Sequence, residues 1–200
     1  MYKYFMLAVF GLFIGTNSYA ANPLVEIKTS AGAFTVELYP EKSPKSVENF
    51  LAYVKSGFYK DTVFHRVIKG FMIQGGGMTT DLQPKPTQPP IPNEAANGLK
   101  NLRGTLAMAR TNDVDSATAQ FFVNLESNAF LDHVKGRPDL YGYSVFGKVL
   151  KGMDVVEKIG ETRTGTVGPH ADVPLQPIVI ETMTLLPNTK TTPQKRKKNG

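Results

Sequence analysis

Apolar and polar residues alternate with a period of two along much of the chain, which is the pattern of strands with one buried face. Residues 24–29 and 32–39 show it clearly, and the Ser30-Ala31-Gly32 break between them predicts a hairpin. The same reasoning predicts further strands over 64–68, 71–76, 104–109, 120–125, 145–150 and 178–185. Many short strands with few helices predict a mainly β domain, either a sandwich or a barrel.

Two segments follow a helical period instead. The first begins at Ser43-Pro44, where serine suits the N-cap and proline suits the first helical position, whose N–H has no partner inside the helix. Gly57 provides its C-terminal stop. The second helix is short and covers 153–159. The predicted inward-facing residues are Val47, Phe50, Leu51 and Val54 in the first helix, and Met153, Val156 and Ile159 in the second.

Residues 77–101 contain five prolines and little apolar periodicity. Each proline removes a backbone donor and restricts the residue before it, so the segment is predicted to be an irregular loop. Long loops in compact domains are often functional or mobile. Two interpretations stay open at this point, a functional loop and a plain surface excursion.

The first twenty residues have the layout of a secretory signal peptide. Lys3 precedes an apolar run over 5–14, and Ser18-Tyr19-Ala20 places small residues at the two positions that matter for cleavage. We expect cleavage after Ala20 or Ala21. The apolar run is too short to span a bilayer comfortably, so no membrane anchor is expected after cleavage. A buried N-terminal helix is the alternative interpretation of this segment.

The formal charge of +6 is concentrated at the chain ends. Six of the 23 basic residues are Lys3 and five residues near the C-terminus, and the remaining 17 balance 17 acidic residues. The body of the protein is therefore neutral, and no nucleic-acid partner is expected. Residues 188–200 contain no aliphatic or aromatic side chain and are predicted to be a disordered basic tail. Binding of nucleic acid or of an anionic surface by this tail is the less favoured alternative.

Missing residue types limit the candidate chemistry. The chain has no cysteine, which excludes disulfides, thiolate nucleophiles and cysteine metal ligands. Its three histidines lack the spacing of metal ligands. Neither a metal ion nor another cofactor is expected.

The stretch 64–76 carries the most informative side chains. Alternation places Phe64 and Arg66 on one face of the first strand, and Met72 and Gln74 on one face of the second, where they could line a shallow pocket. On period and composition alone, a half-buried hairpin with its arginine in solvent is the simpler interpretation. Along 120–125 the same alternation groups Gln120, Phe122 and Asn124 on one face, and Phe121, Val123 and Leu125 on the other.

Four blocks of motif follow one another along the chain. They are Phe-His-Arg-Val-Ile with Gly-Phe-Met-Ile-Gln-Gly-Gly at 64–76, Arg-Gly-Thr-Leu-Ala-Met-Ala-Arg at 103–110, Ser-Ala-Thr-Ala-Gln-Phe-Phe-Val at 116–123, and Phe-Leu-Asp at 130–132 with Tyr-Ser-Val-Phe-Gly-Lys-Val at 143–149. In this order they resemble the signature of the cyclophilin-type peptidyl-prolyl isomerases. Residues 90–95 and 97–99 of the proline-rich loop resemble bacterial members of the family. The resemblance implies one domain over 23–187, folded as a closed eight-stranded antiparallel barrel capped by two α-helices.

The resemblance also implies an enzyme that rotates X–Pro peptide bonds, with Arg66 as its catalytic residue. The expected partners are proline-containing peptides and unfolded exported proteins. A monomer is expected, located in the periplasm, or secreted where there is no outer membrane. The implied substrate-binding residues are Phe71, Met72, Phe122 and Leu131 under the proline ring, Gln74 and Gln120 along the peptide backbone, and Ala109, Arg110, Phe130 and Tyr143 around them.

Three positions differ from many eukaryotic relatives: Phe130 replaces a tryptophan, Tyr143 a histidine and Arg110 an asparagine. We expect these differences to leave isomerase activity intact and to weaken the binding of cyclosporin. Two rival functions are a chaperone or binding module that holds proline-containing segments, and an interaction protein directed by its basic tail. Arg66 favours the enzyme, because a pure binder would not need it.

Overall fold

The computed structural model describes residues 21–187, and the predicted signal peptide and basic tail lie outside the described residues. Within this range no helix is long and apolar enough to cross a membrane. The elements follow in chain order as β1 (Leu24–Thr29), β2 (Gly32–Leu38), α1 (Pro44–Lys55), β3 (Thr62–Ile68), β4 (Met72–Gly75), β5 (Thr105–Met108), β6 (Phe121–Asn124), β7 (Val145–Lys151), α2 (Met153–Gly160), β8 (Thr164–Val167), β9 (His170–Pro174) and β10 (Val179–Leu185).

Eight strands of this described range form a closed antiparallel barrel in the order β1-β10-β3-β4-β6-β5-β7-β2. The predicted fold class, a closed eight-stranded barrel with two α-helices, is confirmed. The strands β8 and β9 pair with each other as a separate hairpin, which the sequence pattern did not predict. Both strands are short, β8 is mostly exposed, and the two buried residues of β9 are adjacent, so neither strand shows the alternation of a half-buried strand.

The barrel interior is filled by side chains from the strands and from both helices. Phe50 of α1 is fully buried, and its ring centroid lies 5.3, 5.6 and 5.2 Å from those of Tyr59, Phe121 and Phe146. Ring pairs at such distances add to the free energy gained by burial. The helical positions predicted to face inward are all buried in this core or packed against it.

The N-terminus of α1 is capped by the proline-rich loop. Ser43 occupies the predicted N-cap position, but its hydroxyl donates to the carbonyl of Val145 (2.6 Å) instead of accepting from the helix. The free helical N–H groups of Lys45 and Ser46 donate to the two carboxylate oxygens of Glu94, at 2.9 and 2.8 Å. The segment 77–101 is therefore tied to the helix, which assigns part of it a structural role.

A bulge in β3 corrects the predicted face of Phe64. Phe64 pairs with Gly75 and Arg66 with Gln74, so two steps along β3 match one step along β4. The extra residue turns Phe64 into the core while Arg66 points outward. The prediction that Phe64 and Arg66 share a face is wrong, because strict alternation does not survive a bulge.

Candidate active site

A cavity of about 380 Å³ opens on the outside of the barrel wall formed by β3, β4, β5 and β6. It brings together ten of the eleven predicted site residues, namely Arg66, Phe71, Met72, Gln74, Ala109, Arg110, Gln120, Phe122, Leu131 and Tyr143. The eleventh, Phe130, is 70% exposed and stands beside the cavity, with its ring 5.5 Å from that of Phe71. Five lining residues were missed by the sequence reasoning: His65, Met78, Pro169, His170 and Ala171.

The floor of the cavity is an apolar cluster separate from the barrel core. Met72 and Phe122 are its buried members that line the cavity, and Phe71, Leu131 and Tyr143 pack against them. Alternation along β6 explains the separation, since Phe122 belongs to this cluster whereas its neighbours belong to the core. The predicted division of faces along β6 is confirmed. The floor can cover a small apolar ring and leaves the edges of the cavity to polar groups.

Two amide side chains form one polar edge. The Nε2 group of Gln74 in β4 donates to Oε1 of Gln120, the residue just before β6, at 2.9 Å. Gly77 makes room for this arrangement: a Cβ atom at that position would lie 2.4 Å from Cγ of Gln120. Real Cβ atoms do not come so close to another heavy atom, so a larger residue at position 77 would displace the Gln120 side chain.

Arg66 adds a cation beside these amides, because it pairs with Gln74 across β3 and β4. Its side chain is 46% exposed, and its Nε group donates to Oδ2 of Asp172 at 3.4 Å. No other hydrogen bond of the Arg66 guanidinium is formed within residues 21–187, so its terminal nitrogens remain available. Asp172 belongs to β9, which lies against β3. The unpredicted hairpin therefore supplies a charged neighbour to the arginine.

The partly buried side chain of Arg110 is fixed by its neighbours. Its guanidinium carbon lies 4.7 Å from the ring centroid of Tyr143, a cation–π arrangement. Its Nε group also donates to the carbonyl of Gly142 at 3.2 Å, and one terminal nitrogen donates to the carbonyl of Thr111 at 2.8 Å. With two of its donors engaged and its guanidinium over the ring, the Arg110 side chain forms part of the wall around Tyr143.

His65 lies in the wall beside Arg66 and is almost completely buried. Burial lowers the pKa of His65 to about 4, and the charges of His170 and Arg66 act in the same direction. The imidazole is therefore neutral at neutral pH. Its Nδ1 is the one buried side-chain polar atom left without a hydrogen-bond partner in the described part of the chain. The sequence did offer one sign that His65 lines the cavity, namely its position in the motif directly before Arg66.

The arrangement suits the binding of a peptide containing a small ring. An apolar floor can cover the ring, amide groups can bind the backbone, and a guanidinium can approach a carbonyl oxygen. Within residues 21–187 no three His, Cys, Asp or Glu side chains are grouped closely enough to hold a metal ion. The closed barrel and this cavity together define a β-barrel protein with an open site suited to a peptide.

The family model described as cyclophilin type peptidyl-prolyl cis-trans isomerase/CLD matches residues 24–185, and the chain belongs to this family. It is accordingly a peptidyl-prolyl cis-trans isomerase, and its substrates are proline-containing peptides. The resemblance drawn from the motif blocks is confirmed.

Individual relatives agree with the family assignment. The chain is 57% identical to the peptidyl-prolyl cis-trans isomerase cyp18 of Streptomyces antibioticus over 81% of its own length and 98% of the relative. It is 56% identical to the peptidyl-prolyl cis-trans isomerase A of Dickeya dadantii (strain 3937), over 81% and 84%. A cyclophilin-type isomerase of Cryptosporidium parvum, solved in the presence of the dipeptide Ala-Pro, matches with a TM-score of 0.67 and 28% identity, over 82% and 99% of the two chains.

Proposed function

We propose that Arg66 is the catalytic residue of this isomerase and that the surrounding cavity binds X–Pro segments of unfolded exported proteins. The observation that carries the proposal is the placement of a guanidinium with free donors at the edge of the floor formed by Met72 and Phe122. The cavity thereby offers a cation and an apolar surface to the same few atoms of a substrate.

The reaction needs stabilisation of a twisted amide and no bond cleavage. Resonance sets a rotation barrier of about 18–20 kcal/mol, and uncatalysed X–Pro exchange takes roughly tens to hundreds of seconds. In the twisted state the proline nitrogen loses conjugation and becomes pyramidal, so it can accept a hydrogen bond. A catalyst must therefore favour that state over both planar isomers.

The apolar floor would hold the proline ring while the rest of the peptide turns. Met72 and Phe122 are buried among Ala107 and Val145, so their positions are fixed by packing. A ring placed on them loses contact with water, at about 25 cal/mol for each Å² of apolar surface buried. This energy is the same in both planar isomers and serves to hold the substrate.

Arg66 would supply the difference between the planar and twisted states. Its terminal nitrogens can donate to the proline carbonyl and approach the pyramidal nitrogen, an interaction that grows as the nitrogen gains electron density. The linked amides of Gln74 and Gln120, next to the arginine, would bind the peptide backbone. The substrate is then held at two points while the bond between them rotates.

The proposal that the protein is exported rests on the signal-peptide pattern of residues 1–20. The proposed location is the periplasm, or the medium where there is no outer membrane, and the proposed state is a monomer. The proposed clients are exported chains whose folding waits for slow X–Pro exchange. The Cryptosporidium parvum relative was solved in the presence of the dipeptide Ala-Pro, which supports the choice of a short proline peptide as the probe.

A protease-coupled isomerisation assay on a short X–Pro peptide tests the proposal. Arg66→Ala should lower kcat/KM by at least about tenfold, which corresponds to about 1.4 kcal/mol of transition-state stabilisation. The fold should persist, because the side chain lies outside the core. Arg103→Ala, which removes a surface arginine paired with Glu157, is the matched control and should keep its activity. A folded Arg66→Ala variant with full turnover would show that Arg66 is not the group that stabilises the twisted bond.

A further inference from the structure

A catalytic arginine requires a group that holds it in place. Its side chain is long and rotates freely in solvent, and the entropy lost when such a side chain is ordered opposes any interaction it makes with substrate. Arg66 projects from a bulged strand and is nearly half exposed, so packing alone does not fix its guanidinium. The hydrogen-bonding partner of this guanidinium within residues 21–187 is Asp172.

The position of Asp172 is fixed by the backbone of β9. The neighbouring Val173 is buried, and β9 lies against β3, the strand that carries Arg66. Asp172 adopts a left-handed conformation with φ of 61°, which aspartate and asparagine tolerate better than most residues. The pairing of β8 with β9 is irregular between Gly165 and Val167, so the hairpin departs from flat geometry near this residue. The carboxylate is thereby presented to the arginine at a defined position.

We propose that Asp172 is a positioning residue, which holds the guanidinium of Arg66 in the orientation that stabilises the twisted X–Pro bond. The inference rests on the proposed catalytic role of Arg66. It assigns a part in the reaction to the β8–β9 hairpin, whose residues Pro169, His170 and Ala171 also line the cavity.

The contact suits this role because it engages the right nitrogen. The carboxylate accepts from Nε, at the base of the guanidinium, and leaves the two terminal nitrogens for the proline carbonyl and ring nitrogen. It also balances the positive charge when a bound peptide excludes water from the cavity, which reduces the cost of burying that charge. His65, the buried neighbour, is neutral at neutral pH and does not compete for the carboxylate.

The test compares Asp172→Asn with the unsubstituted protein and with Asp61→Asn. Asparagine keeps the shape and the tolerance of the left-handed backbone and removes the charge. Asp61 is an exposed aspartate with φ of 62° that does not line the cavity, so it is a matched control for the same substitution in the same backbone conformation. The assay uses an uncharged X–Pro peptide, at salt concentrations from about 50 mM to about 1 M. The Nε–H signal of Arg66 is followed by NMR in the same three proteins.

We expect Asp172→Asn to lower kcat/KM about two- to fivefold at low salt, the range set by a partly exposed ion pair. The difference in kcat/KM between Asp172→Asn and the unsubstituted protein should narrow as the salt concentration rises, because screening weakens the Arg66–Asp172 pair in the unsubstituted protein. The Arg66 Nε–H signal should move in Asp172→Asn, and Asp61→Asn should match the unsubstituted protein in both measurements.

Three results would overturn the inference. Unchanged activity of Asp172→Asn at low salt would show that the carboxylate does not act on the reaction. A loss that does not vary with salt, with the Arg66 signal unmoved, would show a structural role of the hairpin only. A gain in activity would show that Asp172 competes with substrate for the arginine. Retained activity of Arg66→Ala would instead overturn the proposed function, and the two failures are thus distinguishable.

Discussion

The carboxylate of Glu94, in the proline-rich loop, accepts hydrogen bonds from both the backbone N–H and the hydroxyl of Ser46, at 2.8 and 2.7 Å. Its other oxygen accepts from the N–H of Lys45. A residue 48 positions away in sequence thus does what the N-cap side chain usually does. The negative charge also lies at the end of the helix where the macrodipole favours an anion.

Glu94→Ala should therefore destabilise the fold by about 1–2 kcal/mol, the upper part of the range for loss of a helix cap. Glu94→Gln should cost less, because an amide oxygen can still accept one of the bonds. Denaturant unfolding measures both, with Glu41→Ala as the control, since Glu41 is an exposed acid just before the same helix. A Glu94→Ala variant as stable as this control would show that the loop does not support the helix.

The relation between Gly77 and Gln120 gives a prediction about activity with little effect on the fold. The backbone at Gly77 does not have a positive φ, so alanine is strained only by its contact with the Gln120 side chain. Gly77→Ala should displace Gln120 and lower kcat/KM about two- to tenfold, the effect of losing one hydrogen bond to substrate. Gln120→Ala should lower kcat/KM by a similar factor, and the double variant should have a kcat/KM no lower than that of either single variant. Additive losses would mean that Gly77 acts through another group.

Most of the barrel could be predicted because its strands alternate and its helix has a clear apolar stripe. Phe121, Phe122 and Val123 illustrate this, since each was assigned to the face that it occupies. The site residues came from the motif resemblance, and alternation alone would have left Arg66 in solvent. The period of apolar residues thus predicted the buried faces correctly wherever a strand or helix is regular.

The remaining features depend on contacts that are distant in sequence. The bulge at His65 moved Phe64 into the core, and a period of two cannot show an inserted residue. The β8–β9 hairpin has too few buried positions to be seen as a strand pair, so Asp172 was missed. Glu94 lies in a loop whose prolines indicated only irregular structure. Its carboxylate binds the N-terminus of α1, and no residue near Glu94 in the sequence indicates that contact.

His65 predicts how stability depends on pH. Its pKa is lowered to about 4 in the folded protein, against an ordinary value near 6.5, so the unfolded chain binds a proton more readily between these values. The free energy of unfolding should therefore fall as pH decreases from about 6.5 to about 4, by at most about 3 kcal/mol from this group. His65→Gln should show a smaller fall, measured by denaturant unfolding across this range.

If His65→Gln shows the full fall of the unsubstituted protein, then the buried imidazole is not the group that couples folding to pH.

Export predicts the start of the mature chain. Protein recovered from its native host should begin at Ala21 or Asn22, as read by N-terminal sequencing, because the small residues Ser18 and Ala20 precede the expected cleavage point. Ser18→Leu, which places a bulky residue at one of these positions, should slow processing and leave a longer precursor. A soluble cytoplasmic protein that retains Met1 would contradict the export proposal.

Phe130 bears on the binding of cyclosporin. Its ring is tilted by 30° to that of Phe71 at a centroid distance of 5.5 Å, and it is exposed, so the larger indole of tryptophan can replace it without disturbing the core. The indole also carries an N–H donor that phenylalanine lacks. Where a bulky cyclic ligand is held by that donor, its loss costs about 0.5–1.5 kcal/mol, and more if an acceptor is left unpaired. Proline peptides rest on Met72 and Phe122 and need no such donor.

We therefore expect ordinary isomerase activity with weak inhibition by cyclosporin. Phe130→Trp should tighten inhibition about two- to tenfold, the equivalent of one hydrogen bond, and change turnover of a short peptide much less. Titration of cyclosporin against both proteins in one isomerisation assay measures the two effects together. Leu102→Trp, at an exposed apolar position outside the cavity, controls for the added indole and should alter neither. Stoichiometric inhibition of the unsubstituted protein would show that Phe130 does not limit the binding of the drug, because the remaining contacts would then suffice without the indole donor.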